Sequence, residues 1–276
     1  MTDIQNLIEQ LLQPTTRQDG YNALVAVGAE AVDPLIAAFE TATEFGQHQI
    51  AVVLSVIGDT RAVPALINWA RQSPAKARQS AVIALGAFGA DSRVPDVLRD
   101  VASHDSDVGV RLVAVTATRR AAGKEAEKAL WIELLNDPAE QMVINAAGNL
   151  PGLFPGDPDI VEPLMAALKK HAQSKTAAGS LITALSKTRD VRGFESIAVH
   201  LKAPDPHLRA TAAAALGTLG DARAIDLLKT LESDNGFAWE EDHGGPKYTV
   251  GMVAKRAITD IEKAQGIEKK PFWKFW

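Results

Sequence analysis

The residues that could do chemistry in this chain are six histidines, His48, His104, His171, His200, His207 and His243, and one acidic loop. A histidine metal site needs ligands at short recurring spacings, such as two imidazoles one helical turn apart. Here the histidines are scattered along the chain, and none is followed by glutamate. The loop Glu240-Glu241-Asp242-His243 offers oxygen ligands for a hard cation. It also reads as a solvated acidic loop covering the end of the fold, with Phe237 and Trp239 packed on the last helices. Adjacent side chains rarely converge on one ion, which favours the second reading. The chain has no cysteine, which excludes disulfides, thiolate metal sites and cysteine nucleophiles. It has no glycine-rich phosphate loop, nucleophile elbow or His-Glu-x-x-His motif. The expectation is a non-enzymatic protein with no catalytic residue, metal or cofactor.

Composition narrows the partners. Lys and Arg number 29 against 34 Asp and Glu, a net charge of −5, so a phosphate-gripping surface is disfavoured. The N-terminus lacks a basic region followed by an apolar one, and no run of 18 apolar residues is apparent. These features predict a cytoplasmic protein without an integral membrane segment. Apolar residues make up 46%, enough for a continuous core, and aromatics only 5%. The abundant alanine lets helices approach closely and has the best helix propensity.

The elements that would position any site follow one pattern. In Pro204 to Leu231 one helix is predicted from Pro206 to Leu219, a break at Gly220-Asp221, and a second helix from about Ala222 to Glu232. Equivalent breaks fall at Gly28, Gly58, Gly89, Gly123, Gly156, Arg189 and Gly220, spaced 30, 31, 34, 33, 33 and 31 residues apart. Such regularity is the signature of stacked helix pairs, each unable to bury its apolar stripe alone. The glycines are expected to supply a left-handed stop, and prolines such as Pro34, Pro64, Pro95 and Pro163 open the next helix. Asp3 to Leu12 and Asp19 to Val27 read as an N-terminal capping pair. Two stretches depart from the pattern. Arg119 to Ala126 lacks the usual phrase, and Leu150 to Pro158, with three prolines and two glycines, reads as a stiff, irregular corner.

The phrase Gly-Asp-x-Arg-Ala-x-x-x-Leu, at Gly58 to Leu66 and again at Gly220 to Leu228, resembles HEAT repeats of the short phycobilisome-lyase-like kind. So does the Val/Leu-Arg opening of the second helices at Val110-Arg111 and Leu208-Arg209. The resemblance covers roughly residues 20 to 265 and implies an all-α, right-handed α-α superhelix of about seven to eight helix pairs, followed by an aromatic-basic tail over 266–276. It implies fold rather than function, because the motif residues are the packing ones. Deoxyhypusine hydroxylases of that family bind iron through repeated His-Glu pairs, which this chain lacks. Phycobilin lyases and chromophore-handling subunits share the repeat type, but no bilin-binding residue can be matched.

The expected function is a protein-binding scaffold, adaptor or assembly factor, with the phycobilin-handling class as the alternative. Aligning the second helices puts His48, Gln79, Leu112, Ile144, Gly179, Ala210 and Met252 in one row. Leu112 and Ile144 are apolar where earlier repeats are polar. They read either as the floor of a partner groove or as core, if the register is off by one. Trp69 shares its slot with small and polar residues, so it is either a partly exposed contact residue or packed over a neighbouring repeat. Trp131 reads as core. Trp239 and the tail residues Phe272, Trp273, Phe275 and Trp276, interleaved with lysines, complete the partner-binding candidates. The tail reads as a cap on the last helix, a docking motif for a partner protein, or a membrane-surface contact.

Overall fold

A computed structural model describes residues 3–240 and 247–266. Its contacts divide the chain into two compact units, Met1–Glu133 and Leu134–Trp276.

In the first unit the helices are α1 (Ile4–Leu12), α2 (Arg17–Val27), α3 (Val32–Phe39), α4 (Glu44–Ile57), α5 (Val63–Gln72), α6 (Ala75–Leu85), α7 (Arg93–His104), α8 (Val108–Ala122) and α9 (Lys124–Leu134), the last ending at the unit boundary. Three of these helices, α1, α4 and α8, begin at a side-chain cap. Asp3, Thr43 and Asp107 accept the N–H groups of Asn6, Gly46 and Val110. The second helices α4, α6 and α8 pack side by side, and α5 and α7 pack against α6 and α8. Leu35, Leu54, Leu66, Leu85 and Leu98 are fully buried between them.

The second unit contains α10 (Glu140–Leu153), α11 (Val161–Lys170), α12 (Lys175–Thr188), α13 (Phe194–Ala198), α14 (Pro206–Leu219), α15 (Ala224–Lys229), the strands β1 (Phe237–Glu240) and β2 (Lys247–Thr249), and α16 (Val250–Ala264). Here α10, α12, α14 and α16 form the continuous row. Thr249 is the N-cap of α16, as its position predicts, accepting from the Met252 N–H.

The predicted left-handed stops hold at Gly58 and Gly220, with φ of 73° and 75°. Gly28, Gly123 and Gly156 also have positive φ, of 69°, 89° and 73°, but ψ of −129° at Gly28 and 179° at Gly123 takes those two out of the left-handed helical region. Arg189 does the same work without glycine. Its φ of 56° is the one positive value at a non-glycine among the described residues. Gly89 differs. It is not left-handed, and a Cβ there would lie 2.0 Å from the Ala121 carbonyl oxygen, so glycine is required by close packing onto the end of α8.

Several expectations are corrected. Leu150 to Pro158 does not begin as an irregular corner: α10 continues through Pro151 to Leu153, giving up the one hydrogen bond Pro151 cannot donate. The chain is not purely α. Phe237-Ala238-Trp239 and Lys247-Tyr248-Thr249, both rich in strand-forming aromatics, pair antiparallel. In Arg119 to Ala126, α9 starts directly after Gly123 with no 3₁₀ turn, whereas such turns precede α3, α5, α11 and α13.

The stretch Arg17–Phe39 reaches a mean hydropathy of 1.4 and is long and apolar enough to cross a membrane by length and composition. That amends the expectation from apolar runs. The backbone divides it at Gly28 into α2 and α3, and Leu24, Val32, Leu35 and Phe39 are buried in the core of the repeat.

Candidate functional site: the face of the second helices

Between repeats an aspartate and an arginine two residues apart form a recurrent clasp. Asp59, Asp91, Asp190 and Asp221 each accept the N–H of the residue two ahead, closing the turn that opens the next helix. The guanidinium of Arg61, Arg93, Arg192 or Arg223 folds back on the same carboxylate at 2.7–2.8 Å. That hydrogen bond holds each of these aspartates below the usual carboxylate range, Asp91 down to about 2. Arg61 continues to the Ala29 carbonyl (2.6 Å) and Asp33 (3.1 Å), and Arg192 to the Pro158 carbonyl (3.1 Å), so the clasp also ties neighbouring repeats. Its work is structural.

A second ladder runs along the start of the second helices. Asp107 and Asp205 do not pair with the arginines four residues later; they cap their own helices. Arg209 reaches forward to Asp234, as Arg78 does to Asp105, while Arg111 donates to the Asp105 carbonyl. Lys175 reaches Asp205 at 3.0 Å, and Ser174 and Thr176 both donate to Glu140.

The face of the second helices beside this ladder is the candidate site. In the first unit His48 is exposed, with Nδ1 3.3 Å from Ser80 Oγ, while Gln79 and Leu112 are half-buried. In the second unit Ile144 and Gly179 are half-buried and Met252 exposed. Leu112 and Ile144 therefore sit at the surface of the row rather than wholly inside it. Ala210 is buried, and Thr211 next to it faces outward.

Sequence reading missed the row one turn further on. Val52, Ile83, Thr116, Gly148, Thr183, Ala214 and Arg256 follow the first row by four residues and share its face. The signal was present in the same alignment. Aliphatic side chains concentrate in the first unit, where Val56 and Ile83 are 49% and 41% exposed. In the second unit a cavity of about 390 Å³ between α10, α12 and α14 is lined by Ile144, Ala147 and Ala184 together with Gly148, Gly179, hydroxyls and Lys175, Lys187 and His207.

Trp69 is not an exposed contact. It is 2% exposed, stacks on Phe39 with ring centroids 3.6 Å apart and 5° between planes, and donates Nε1–H to Glu40 at 2.8 Å. The packed alternative holds: the indole lies against Phe39 and Glu40 of the preceding repeat. Trp131 is core, as its slot predicts. Trp239 is half-buried, with Tyr248 at 6.1 Å and the His207 ring edge-on at 6.1 Å. His207 Nδ1 lies 3.1 Å from the Ala238 carbonyl, pinning the strand to α14. Phe237 does not pack on the final helices; it is largely exposed on β1. Glu241, Asp242 and His243, and the tail residues Phe272, Trp273, Phe275 and Trp276, lie outside the described residues.

The last helix pair supplies its own polar surface. Lys255, Arg256, Thr259, Asp260 and Lys263 of α16 and Asp226 and Lys229 of α15 are exposed. The described histidines lie apart from one another in the fold. His104 pairs with Asp100 on its own helix, and burial pushes the His200 imidazole below its ordinary range. No group of His, Asp or Glu among the described residues could hold a metal.

Paired helices, glycine stops and, within each unit, a row of second helices define a helical-repeat protein. More narrowly, two stretches of the chain carry HEAT repeats. The HEAT repeats model matches residues 32–119, and the PBS lyase HEAT-like repeat model matches 208–234. No curated protein sequence matches the chain. Among solved structures, human deoxyhypusine hydroxylase in complex with glycerol aligns at 19% identity over 95% of this chain and 96% of that one, with a TM-score of 0.39. The Escherichia coli protein YibA aligns at 18% identity over 88% and 95%, with a TM-score of 0.43. The complex of CpcE and CpcF of phycocyanin lyase from Nostoc sp. PCC7120 aligns at 20% identity over 84% and 95%, with a TM-score of 0.37.

Proposed function

We propose that this chain is a non-enzymatic, cytoplasmic adaptor or assembly factor that binds another protein along the face of its second helices, with the C-terminal tail as a second contact. HEAT repeats generally mediate protein interaction, and a repeat array offers a long side-by-side helical surface for it. The observation that carries the reading is the pair of exposed aliphatic side chains, Val56 and Ile83, beside Leu112 on one face of α4, α6 and α8. Aliphatic groups left in water on a regular surface stabilise nothing in the free protein and gain by burial in a complex. The test is affinity capture from native extract with intact protein and a Leu112→Glu, Ile144→Glu variant, the fold checked by circular dichroism. A specific partner lost only by the folded variant supports the reading; equal capture by both counts against it.

The PBS lyase HEAT-like match over 208–234 favours one second reading, a subunit that handles a linear tetrapyrrole. Mixing the protein with such a pigment, with and without an acceptor protein, should then shift the visible absorption band. An unshifted band in both cases removes this reading.

A further inference from the structure

On the first unit's second-helix face lies a cleft of about 600 Å³ lined by Ile83, Val113, Thr116, Ala117, Arg119 and Arg120. Its walls are mostly aliphatic, and both charged groups lining it are cationic. Arg119 is engaged, with Nη1 3.3 Å from the buried carboxylate of Glu127 on α9. Arg120 is exposed and has no hydrogen bond or ion pair among the described residues. Its place in the last turn of α8, where the helix dipole favours a cation, accounts for the sign of its charge. It stands four residues beyond Thr116 and seven beyond Val113, on the face that carries the cleft. Val56 on α4 is a further exposed aliphatic side chain of this unit.

We propose that this cleft docks an acidic amphipathic segment of a partner protein, with apolar side chains seated on Ile83 and Val113 and a carboxylate on Arg120. The proposal rests on the scaffold reading and adds the chemistry of the partner. Charge complementarity selects the occupant. An apolar cleft with a lone free guanidinium is filled best by apolar groups carrying one opposite charge, and the like charge of Lys269, Lys270 and Lys274 disfavours the chain's own tail. Apolar contact supplies the affinity and the ion pair fixes the register.

The probes are two fluorescein-labelled helical peptides, each with leucines on one face. One carries flanking glutamates and the other lysines at the same positions. Anisotropy titration against the full chain at low salt should show the glutamate peptide binding about ten-fold tighter, a gap that narrows as salt screens it. Arg120→Glu should reverse the preference. Ile83→Ser should weaken the glutamate peptide about five-fold with an unchanged circular dichroism spectrum and melting temperature. Equal binding of the two peptides, or a preference untouched by Arg120→Glu, overturns the proposal. So does binding that rises on truncation after Gly266, which makes the tail the occupant, or a self-association abolished by Ile83→Ser, which makes a second copy the occupant. If the peptides fail while native capture still depends on Leu112 and Ile144, the scaffold reading stands and the acidic partner falls. If native capture fails as well, both fall.

Discussion

Arg78 and Asp105 stand 27 residues apart in sequence and meet in a two-point ion pair, Nη2 to Oδ1 at 2.7 Å and Nε to Oδ2 at 2.8 Å. Their side chains are 15% and 8% exposed. Arg78 also donates to the Ser73 carbonyl at 2.9 Å, so the guanidinium fastens the turn before α6 to the turn before α8. Removing one member leaves the other charge largely desolvated. Arg78→Ala and Asp105→Ala should each cost about 2–4 kcal/mol in urea unfolding, and the double variant should cost clearly less than their sum. Additive losses would mean that the pair contributes little.

Trp69 should behave as a core residue. Trp69→Ala should cost about 3–5 kcal/mol, from lost area plus a cavity beside Phe39. Trp69→Phe should keep the stacking and lose the hydrogen bond to Glu40, costing about 1 kcal/mol. Neither should change partner capture while the protein stays folded. Lost capture in the folded Trp69→Phe variant would return Trp69 to the contact surface.

Backbone geometry gives three substitutions with opposite signs. Arg189→Gly should stabilise by about 0.5–1 kcal/mol, because glycine adopts the left-handed conformation without steric cost. Gly89→Ala should destabilise by about 1–3 kcal/mol or more, since its methyl group would collide with the Ala121 carbonyl. Gly148→Ala, in the interior of α10 with nothing within 4 Å of the new Cβ, should stabilise by about 1 kcal/mol. Thermal or urea unfolding of the three variants checks all the signs.

The helix pairs were legible in the sequence because glycine stops, Pro at helix starts and apolar stripes all repeat with one period. Arg189 could be aligned with the glycines by spacing alone, before any φ was known. Gly89 shows the limit. A left-handed glycine and a glycine that admits a neighbour's carbonyl look identical in a sequence, and only the approach of Ala121 separates them. Pro151 misled for a related reason, since its effect depends on whether the surrounding helix is held by packing. The arginine ladder was half legible: the charges were evident, but Arg78 and Arg209 pair with the next repeat rather than with their own helix. Leu112 and Ile144 lie half-buried on the candidate face, and the row through Ile83 was missed because it was aligned but not compared for size.

The aspartate clasps predict a pH dependence. The guanidinium of Arg93 hydrogen-bonds Asp91 and lowers its folded-state value to about 2, below the ordinary 3.8. Asp59, Asp190 and Asp221 are lowered in the same way by Arg61, Arg192 and Arg223. A carboxylate depressed in the folded state contributes stability that is present above about pH 4 and is lost as pH falls through its folded value. The urea midpoint should therefore fall between about pH 4 and pH 2. Carboxyl NMR should find Asp91 titrating near 2 and returning toward its ordinary value in Arg93→Gln. A midpoint flat to pH 2 would show that the clasps do not stabilise the fold.

The central claim is that the second-helix face is the binding surface. The most direct measurement compares native-extract capture by two folded variants, Val56→Glu with Ile83→Glu on that face and Val199→Glu on the exposed side of the 3₁₀ turn after α13. The account predicts that the first variant loses the partner recovered by the intact protein and that the second retains it. Loss through Val199→Glu with retention through the Val56, Ile83 variant would contradict the account and place binding on the opposite set of helices.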